Sequence, residues 1–301
     1  MRPVAENYRT YACDVCGSGS YSEIHITASY LGGQPLCVCN DCGFIYVRHR
    51  RDPERIAEIW SEIIYKSDYI PKTPAYVARH TYVAEYLSSQ LKLKGERLID
   101  IGAGDGQFLN IISKSDYGGI PFGVEPSLAN CQRMTSIGID SYCGTIESYI
   151  EDPENTVPKF EIVSLLWTLE NSASCRSIID SARNVLVDGG HIIIATGSRI
   201  LVPFKKPLYD YLGLYKGTST PDLHSFRFSA NSLQNLLESS GFDITSVNRY
   251  IDTDHLVIIA KNTGRSGFSR TRSDDPQKII DFFERWDRDT QQFFPQADQN
   301  V

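Results

Sequence analysis

The feature that most constrains this chain is the run Leu98-Ile99-Asp100-Ile101-Gly102-Ala103-Gly104-Asp105-Gly106. A short apolar strand leads straight into a turn with glycine at alternate positions. An amphipathic segment, Gln107-Phe108-Leu109-Asn110-Ile111-Ile112, begins at once. Glycine lets the backbone turn tightly and approach a ligand with no side chain between them. A helix that opens there aims its N-terminal N–H groups at the same point. The combination predicts a small polar ligand held at the carboxyl edge of a parallel sheet.

The spacing is G-x-G-x-G, not the G-x-G-x-x-G of dinucleotide sites. Asp100 stands just before the first glycine, where a carboxylate repels phosphate but suits an ammonium or sulfonium group. The next strand, Pro121-Phe122-Gly123-Val124-Glu125, ends in a second acid that can accept two hydrogen bonds from a ribose diol. An amino acid joined to a nucleoside, with no phosphate, satisfies both acids, and S-adenosylmethionine is such a molecule.

In order along the chain, LIDIGAGDGQFL, GVEPS, FEIVSLLWTLEN and VLVDGGHIIIATGSR resemble the motif set of the class I S-adenosylmethionine-dependent methyltransferases, over roughly residues 75–261. The competing reading is another Rossmann-like domain that binds a nucleotide. The resemblance implies an α/β fold: a Rossmann-like, doubly wound, mostly parallel sheet with an antiparallel last strand. It also implies that Asp100, Gly102, Ala103 and Gly104 line the methionine end and that Glu125 takes the ribose hydroxyls. Pro126 then lies beside the adenosine, Thr145 and Ile146 near the adenine. Leu166 and Trp167 close over the methyl donor, with core packing as the alternative for Trp167. Many members carry Glu-His after the fourth strand; here the pair is Glu170-Asn171, so no histidine at that place can act as a base.

Five of the eight cysteines fall within the first 42 residues. Cys13-Asp14-Val15-Cys16-Gly17 and Cys39-Asn40-Asp41-Cys42-Gly43 are two C-x-x-C-G knuckles at zinc-ligand spacing. The segment between them reads as a strand, a Gly-Gly turn and a return strand. The pattern predicts a four-cysteine zinc ribbon in which Cys13, Cys16, Cys39 and Cys42 bind a structural Zn2+. A disulfide pair is the competing reading, disfavoured in a cytosolic compartment. Cys37 reads as a core thiol, with exchange for Cys39 as a ligand left open. Cys131, Cys143 and Cys175 read as small buried residues.

Periodicity places strands near 97–101, 120–125, 140–143, 160–167 and 190–196, and helices near 106–115, 127–137 and 174–187. A helix over 230–240 ends at Gly241, and strands at 243–250 and 254–261 are too close in sequence to be parallel. Upstream, Asp52 and Pro53 open a helix over 53–65, and another spans 75–93. Residues 262–275 read as a linker. A helix over 276–294 carries Ile279, Phe282, Phe283 and Trp286 on one face, a stripe for core packing or for a homo-oligomer contact. The domain reading is a ribbon at 1–50, a connecting helix and loop at 51–74, the main domain at 75–262, and a linker and helix at 263–301.

An insert near 197–229 holds Arg199, Lys205, Lys206, Tyr209, Tyr211, Tyr215, His224 and Arg227. Cations beside aromatics suit a phosphorylated or nucleotide-linked small molecule; a solvated loop over an apolar lid is the alternative. His224 is the first candidate for a catalytic base and His80 the second, whereas His191 and His255 read as structural. The ribbon ahead of the domain, with DLHSFRFSANSLQNLLESSGF behind it, resembles bacterial sugar C-methyltransferases, which act on nucleotide-linked deoxysugars. Members of that group carry a further C-terminal domain with no counterpart past the helix at 276–294, which leaves O- or N-methylation open.

Of 301 residues, 41% are hydrophobic and 22% charged, and the net charge is −7, as in ordinary globular chains. The acidic balance disfavours a nucleic-acid partner. RNA base methylation and a non-catalytic ligand-binding protein are the competing functions. No apolar run reaches the length of a membrane span and no apolar N-terminal segment resembles a secretory signal, so a cytoplasmic location is expected.

Overall fold

The computed structural model describes residues 8–61, 74–114, 119–153, 157–197, 207–212, 221–249, 255–265 and 272–294. Its centre is a seven-stranded sheet. The strands are β6 (Arg97–Ile101), β7 (Ile120–Glu125), β8 (Asp140–Cys143), β9 (Phe160–Leu166), β10 (Leu186–Gly197), β12 (Phe242–Val247) and β13 (His255–Asn262), in the order β12-β13-β10-β9-β6-β7-β8. Every neighbouring pair is parallel except those of β13, which runs against both β10 and β12. The expected doubly wound sheet with an antiparallel last strand is present. β6 has β7 on one side and β9 on the other, so the winding reverses there and opens a crevice at the carboxyl ends of these strands.

Near-continuous apolar runs make this arrangement stable, because a parallel sheet is buried on both faces. Ile99, Val163, Leu165, Ile192 and Ile194 enter one core, and Leu98, Ile162, Ile193 and Ala195 enter the opposite one. Helices α2 (Pro74–Gln90), α3 (Gln107–Lys114) and α4 (Leu128–Ser136) supply the second core. Helices α5 (Ile146–Glu151), α6 (Cys175–Val185) and α8 (Ala230–Ser239) supply the first. α5 was not anticipated, being only six residues long. Cys131 and Cys175 are buried, but Cys143 is exposed. It ends β8, the edge strand of the sheet, where no further strand covers it.

The N-terminal region holds β1 (Tyr8–Thr10), β2 (Tyr21–Ile24), β3 (Leu36–Cys39), β4 (Ile45–Tyr46), β5 (His49–Arg51) and α1 (Pro53–Ile59). Its sheet, β11-β4-β3-β2, takes one strand from far along the chain: β11 (Phe226–Arg227), with Phe226 opposite Tyr46 and Arg227 opposite Ile45. Phe44 packs on Phe226 and Phe228 at ring distances of 5.7 and 5.3 Å. Helices α7 (Leu208–Leu212) and α9 (Pro276–Phe293) pack on the same unit. Ile279, Phe283 and Trp286 lie in one cluster with Leu36, Val38 and Ile45, and Tyr30 donates its hydroxyl to Asp287. Ile279, Phe283 and Trp286 on the apolar stripe of α9 are therefore covered within the chain, which fits core packing. Among the described residues no helix is long and apolar enough to cross a membrane. The segments 62–73 and 251–254, expected to hold a helix end and a tight turn, lie outside the described residues.

Candidate active site

A cavity of about 890 Å³ opens at the carboxyl ends of β6, β7 and β9. Asp100, Gly102, Ala103 and Gly104 line it from the glycine turn, Glu125 and Pro126 from the end of β7, and Thr145 and Ile146 from the start of α5. Leu166 and Trp167 line it from the end of β9, and both candidate bases, His80 and His224, face it. The structure thus brings the ten residues expected at the cofactor site and both candidate bases to one space.

The turn needs its glycines. Gly102 has φ +73, and a Cβ there would stand 2.6 Å from the Thr168 side chain. Gly106 has φ +79, and a Cβ would meet Met134 Cγ at 2.6 Å. The N–H groups of Gly102 and Ala103 donate to the Val124 carbonyl at 2.8 and 3.2 Å, which ties the turn to β7. Glu125 then receives the N–H of Gly104 at 2.9 Å on Oε2 and that of Ser127 at 3.0 Å on Oε1. Burial pushes its carboxyl above the usual range, and these N–H donors oppose that shift. Asp100 accepts from Ser164 Oγ at 2.7 Å. Its carboxyl is pushed up to about 7, chiefly by burial, against the Ser164 hydrogen bond and with a smaller push from Glu125.

Trp167 takes a left-handed backbone, φ 55, a costly conformation for a bulky residue. Its N–H donates to the Ala195 carbonyl at 2.7 Å. Its indole ring lies 5.1 Å from the His80 ring and 5.5 Å from the His255 ring, and the Arg79 guanidinium lies over it at 4.1 Å. Trp167 therefore forms part of the cavity wall while also packing against the second core. His255, read as structural, lines the cavity too, because β13 starts beside the end of β10. His191 sits in β10 and does not line the cavity. His80 donates from Nδ1 to the Tyr76 carbonyl at 2.7 Å, since a carbonyl only accepts. Burial pushes its pKa down to about 4, with Arg79 acting the same way, so it is neutral near pH 7.

His224 ends a short 3-10 turn, Pro221–His224, and is 7% exposed. Its Nδ1 lies 2.9 Å from Asn171 Oδ1. Asn171 also donates Nδ2 to the Trp167 carbonyl at 2.8 Å. That second bond orients the amide, so its oxygen faces the imidazole and Nδ1 must be the protonated nitrogen. In the neutral ring the lone pair is then on Nε2. Asn171 of the Glu170-Asn171 pair thus contacts a histidine supplied from another segment.

Sequence reasoning missed the wall formed by α1 and the turn after it. Pro53, Ile56, Ala57 and Trp60 line the cavity, and Ile56, Ile59 and Trp60 pack with Ala173 and Leu223. The spacing of Ile56 and Ile59 on a short helix carried that signal. Tyr209, Tyr211 and Arg227 do not line the cavity. Tyr211 packs on Trp286 at 4.7 Å, and Arg227 is buried and donates to the His224 carbonyl. Arg199, Lys205, Lys206 and Tyr215 lie outside the described residues.

The thiol sulfurs of Cys13, Cys16, Cys39 and Cys42 lie within 4.8 Å of one another, with Cys13–Cys42 at 3.6 Å and Cys16–Cys39 at 3.5 Å. A tetrahedron with Zn–S bonds of about 2.3 Å has edges of about 3.8 Å, so the donor set fits zinc. Both knuckles close alike: Gly17 donates to the Cys13 carbonyl at 2.8 Å and Gly43 to the Cys39 carbonyl at 2.9 Å. Cys37 is buried outside the cluster, where burial pushes its thiol up to about 11.

Residues 76–247, more than half of the chain, match the family model described as Methyltransferase domain. Among curated proteins the chain is similar to the ubiquinone biosynthesis O-methyltransferase of Coxiella burnetii, 27% identical over 135 residues, or 43% of this chain and 54% of that one. The Xylella fastidiosa protein of the same name is 24% identical over 124 residues, 40% and 49% of the two chains. The chain spans about half the length of the curated relatives it matches. Two solved structures share the fold. A chain from the complex of the Haloferax volcanii Trm112 methyltransferase activator with a methyltransferase has a TM-score of 0.52 at 12% identity, covering 69% of this chain and 98% of that one. Magnesium protoporphyrin IX methyltransferase from Synechocystis PCC 6803 has a TM-score of 0.50 at 13% identity, covering 71% and 100%.

Proposed function

The chain belongs to the Methyltransferase domain family, and from that premise we propose that it transfers a methyl group from S-adenosylmethionine to a small-molecule acceptor, with His224 as the base. When bound, that cofactor supplies an electrophilic methyl group on a sulfonium. Its site needs buried acceptors for an ammonium and a ribose and a backbone with no side chain in the way. Asp100, Glu125 and the cradle at Gly102–Gly104 meet those needs. Glu125, held by two backbone N–H groups, has its carboxylate set to accept ribose hydroxyls. Asp100 offers a negative charge at the methionine end. Leu166 and Trp167 exclude water from the transfer path. His224 takes the acceptor proton on Nε2 as the methyl arrives, a contribution of about 10²–10⁴-fold.

One observation carries this reading: the hydrogen-bond chain from the Trp167 carbonyl through Asn171 to His224 fixes the tautomer of a histidine facing the same cavity as both acids.

The acceptor class we favour is a nucleotide-linked sugar. Its support is the four-cysteine ribbon ahead of the domain and the His224 segment behind it. A second reading, methylation of a hydroxyl on an apolar ring compound, is favoured by the wall of Ile56, Trp60 and Ala173. The net charge of −7 speaks against RNA. The test is calorimetric titration of the zinc-loaded chain with S-adenosylhomocysteine, followed by nucleotide sugars and then phenolic acceptors on that complex. Micromolar binding with a sugar nucleotide bound on top supports the favoured class. A response to phenols alone supports the second, and no binding of S-adenosylhomocysteine overturns the proposal.

A further inference from the structure

The first cysteine knuckle and the cavity wall are joined by one set of side chains. Asp14, between Cys13 and Cys16, is 9% exposed. Its Oδ2 accepts from Arg50 Nη2 at 2.8 Å; Arg50 is fully buried, with its guanidinium 3.9 Å from the Tyr11 ring and 4.7 Å from that of Phe226. Its Oδ1 accepts from Ser174 Oγ at 3.0 Å. Ser174 is the N-cap of α6, and its oxygen accepts the N–H of Ser177 at 3.2 Å. Ser174 and Ser177 both line the cavity, and Ser177 Oγ donates to Glu147 on α5 at 3.3 Å.

Arg176, two residues after Ser174, fastens the same knuckle by its backbone. It donates Nε to the Asp14 carbonyl at 3.0 Å and Nη2 to the Val15 carbonyl at 2.7 Å. Its Nη1 reaches Ser240 Oγ at 2.6 Å. The loop between two metal ligands is therefore held, by side chain and by main chain, on the first turn of the helix that walls the cavity. A four-thiolate knuckle gains its fixed shape from the metal. The position of Asp14, and through it the cap of α6, depends on the same event.

We propose that Asp14 is a positioning residue that acts through Ser174, so that zinc in the four-cysteine site and cofactor in the cavity stabilise each other. This rests on the reading that the cavity holds S-adenosylmethionine. Coupling of this kind is reciprocal: whatever factor zinc adds to cofactor affinity, the cofactor adds to zinc affinity.

The test uses the full chain. Zinc affinity is measured by competition with a chromophoric chelator of known affinity, with and without saturating S-adenosylhomocysteine, whose own binding is followed by calorimetry. The expected result is zinc affinity raised about fivefold or more by S-adenosylhomocysteine. Replacing Asp14 would strand the buried Arg50, so the hydroxyl is removed instead. Ser174→Ala and Ser174→Gly should each keep one zinc per chain and lose the coupling, while Ser174→Thr, which keeps the hydroxyl, should retain it. S-adenosylhomocysteine binding that leaves zinc affinity unchanged overturns the coupling and leaves the functional reading intact. Full coupling in both hydroxyl-free variants overturns the route through Ser174. No S-adenosylhomocysteine binding in the wild-type chain removes the functional reading and this inference with it.

Discussion

Asn171 Oδ1 accepts a hydrogen bond from His224 Nδ1 at 2.9 Å, across 53 residues of sequence. The contact fixes which imidazole nitrogen carries the proton. We predict that His224→Ala lowers turnover about 10²–10⁴-fold and leaves the S-adenosylhomocysteine dissociation constant unchanged. Asn171→Ala should cost less, about tenfold, because the ring remains but its tautomer and orientation are released. Steady-state kinetics beside calorimetry checks both, and undiminished turnover in His224→Ala removes its role as base.

Asp100 gives a pH dependence with a definite sign. Its carboxyl titrates at 3.8 when unperturbed and is pushed up to about 7 in the folded chain. Between those values the folded chain holds a proton that the unfolded chain has released. Asp100 therefore lowers stability as pH rises toward 7, and the cost is constant above that. Asp100→Asn should gain thermal stability relative to wild type at pH 8 and show little difference at pH 4. Cofactor binding should run the other way, since a cationic ligand favours the ionised carboxylate: affinity should rise from pH 6 to pH 8, with proton release visible as a buffer-dependent binding enthalpy.

Glu125→Gln is nearly isosteric yet should be damaging. Two backbone N–H groups converge on the carboxylate, one on each oxygen. A glutamine can serve one of them and must set its NH₂ against the other, at a cost of about 1–3 kcal/mol. Thermal unfolding should report the loss, and calorimetry should show cofactor affinity down tenfold or more.

Gly102→Ala meets two obstacles: a φ of +73 and a Thr168 side chain 2.6 Å from the new Cβ. We expect a loss of about 1–3 kcal/mol in chemical denaturation, together with weakened cofactor binding. Gly138, also at positive φ with nothing within 4 Å of an added Cβ, is the control. Gly138→Ala should show the backbone cost alone.

The cysteines separate by function. Cys13→Ser should lower zinc affinity sharply and destabilise the N-terminal unit, since it removes one of four clustered sulfurs. Cys37→Ser should leave one zinc per chain, as Cys37 stands outside the cluster. Metal analysis after dialysis distinguishes the two.

The sheet was legible in the sequence because its signals are local: an apolar run, a glycine at a turn, an acid at a strand end. The glycine cradle, Glu125 and the two knuckles were legible for the same reason. The Asn171–His224 contact was not, because it joins two short segments through a single hydrogen bond and leaves no periodicity. The pairing of Phe226 with Tyr46 was equally hidden, a two-residue strand being too short for alternation to show. The wall from Pro53 to Trp60 looked like a connector because its apolar face spans barely two turns. Cys143 was misjudged because edge position is a property of sheet order, which the spacing of strands does not encode.

The pairing of β11 with β4 bears on how such a chain can be recombined. The segment that carries His224 has its footing in the N-terminal ribbon, not in the seven-stranded sheet. A chimaera that exchanged residues 1–50 for those of another protein would therefore exchange the ground under Phe226 and Phe228 as well, while leaving the Gly102–Gly106 turn untouched. The His224 segment and the N-terminal ribbon are thus two distant stretches of sequence that must travel together.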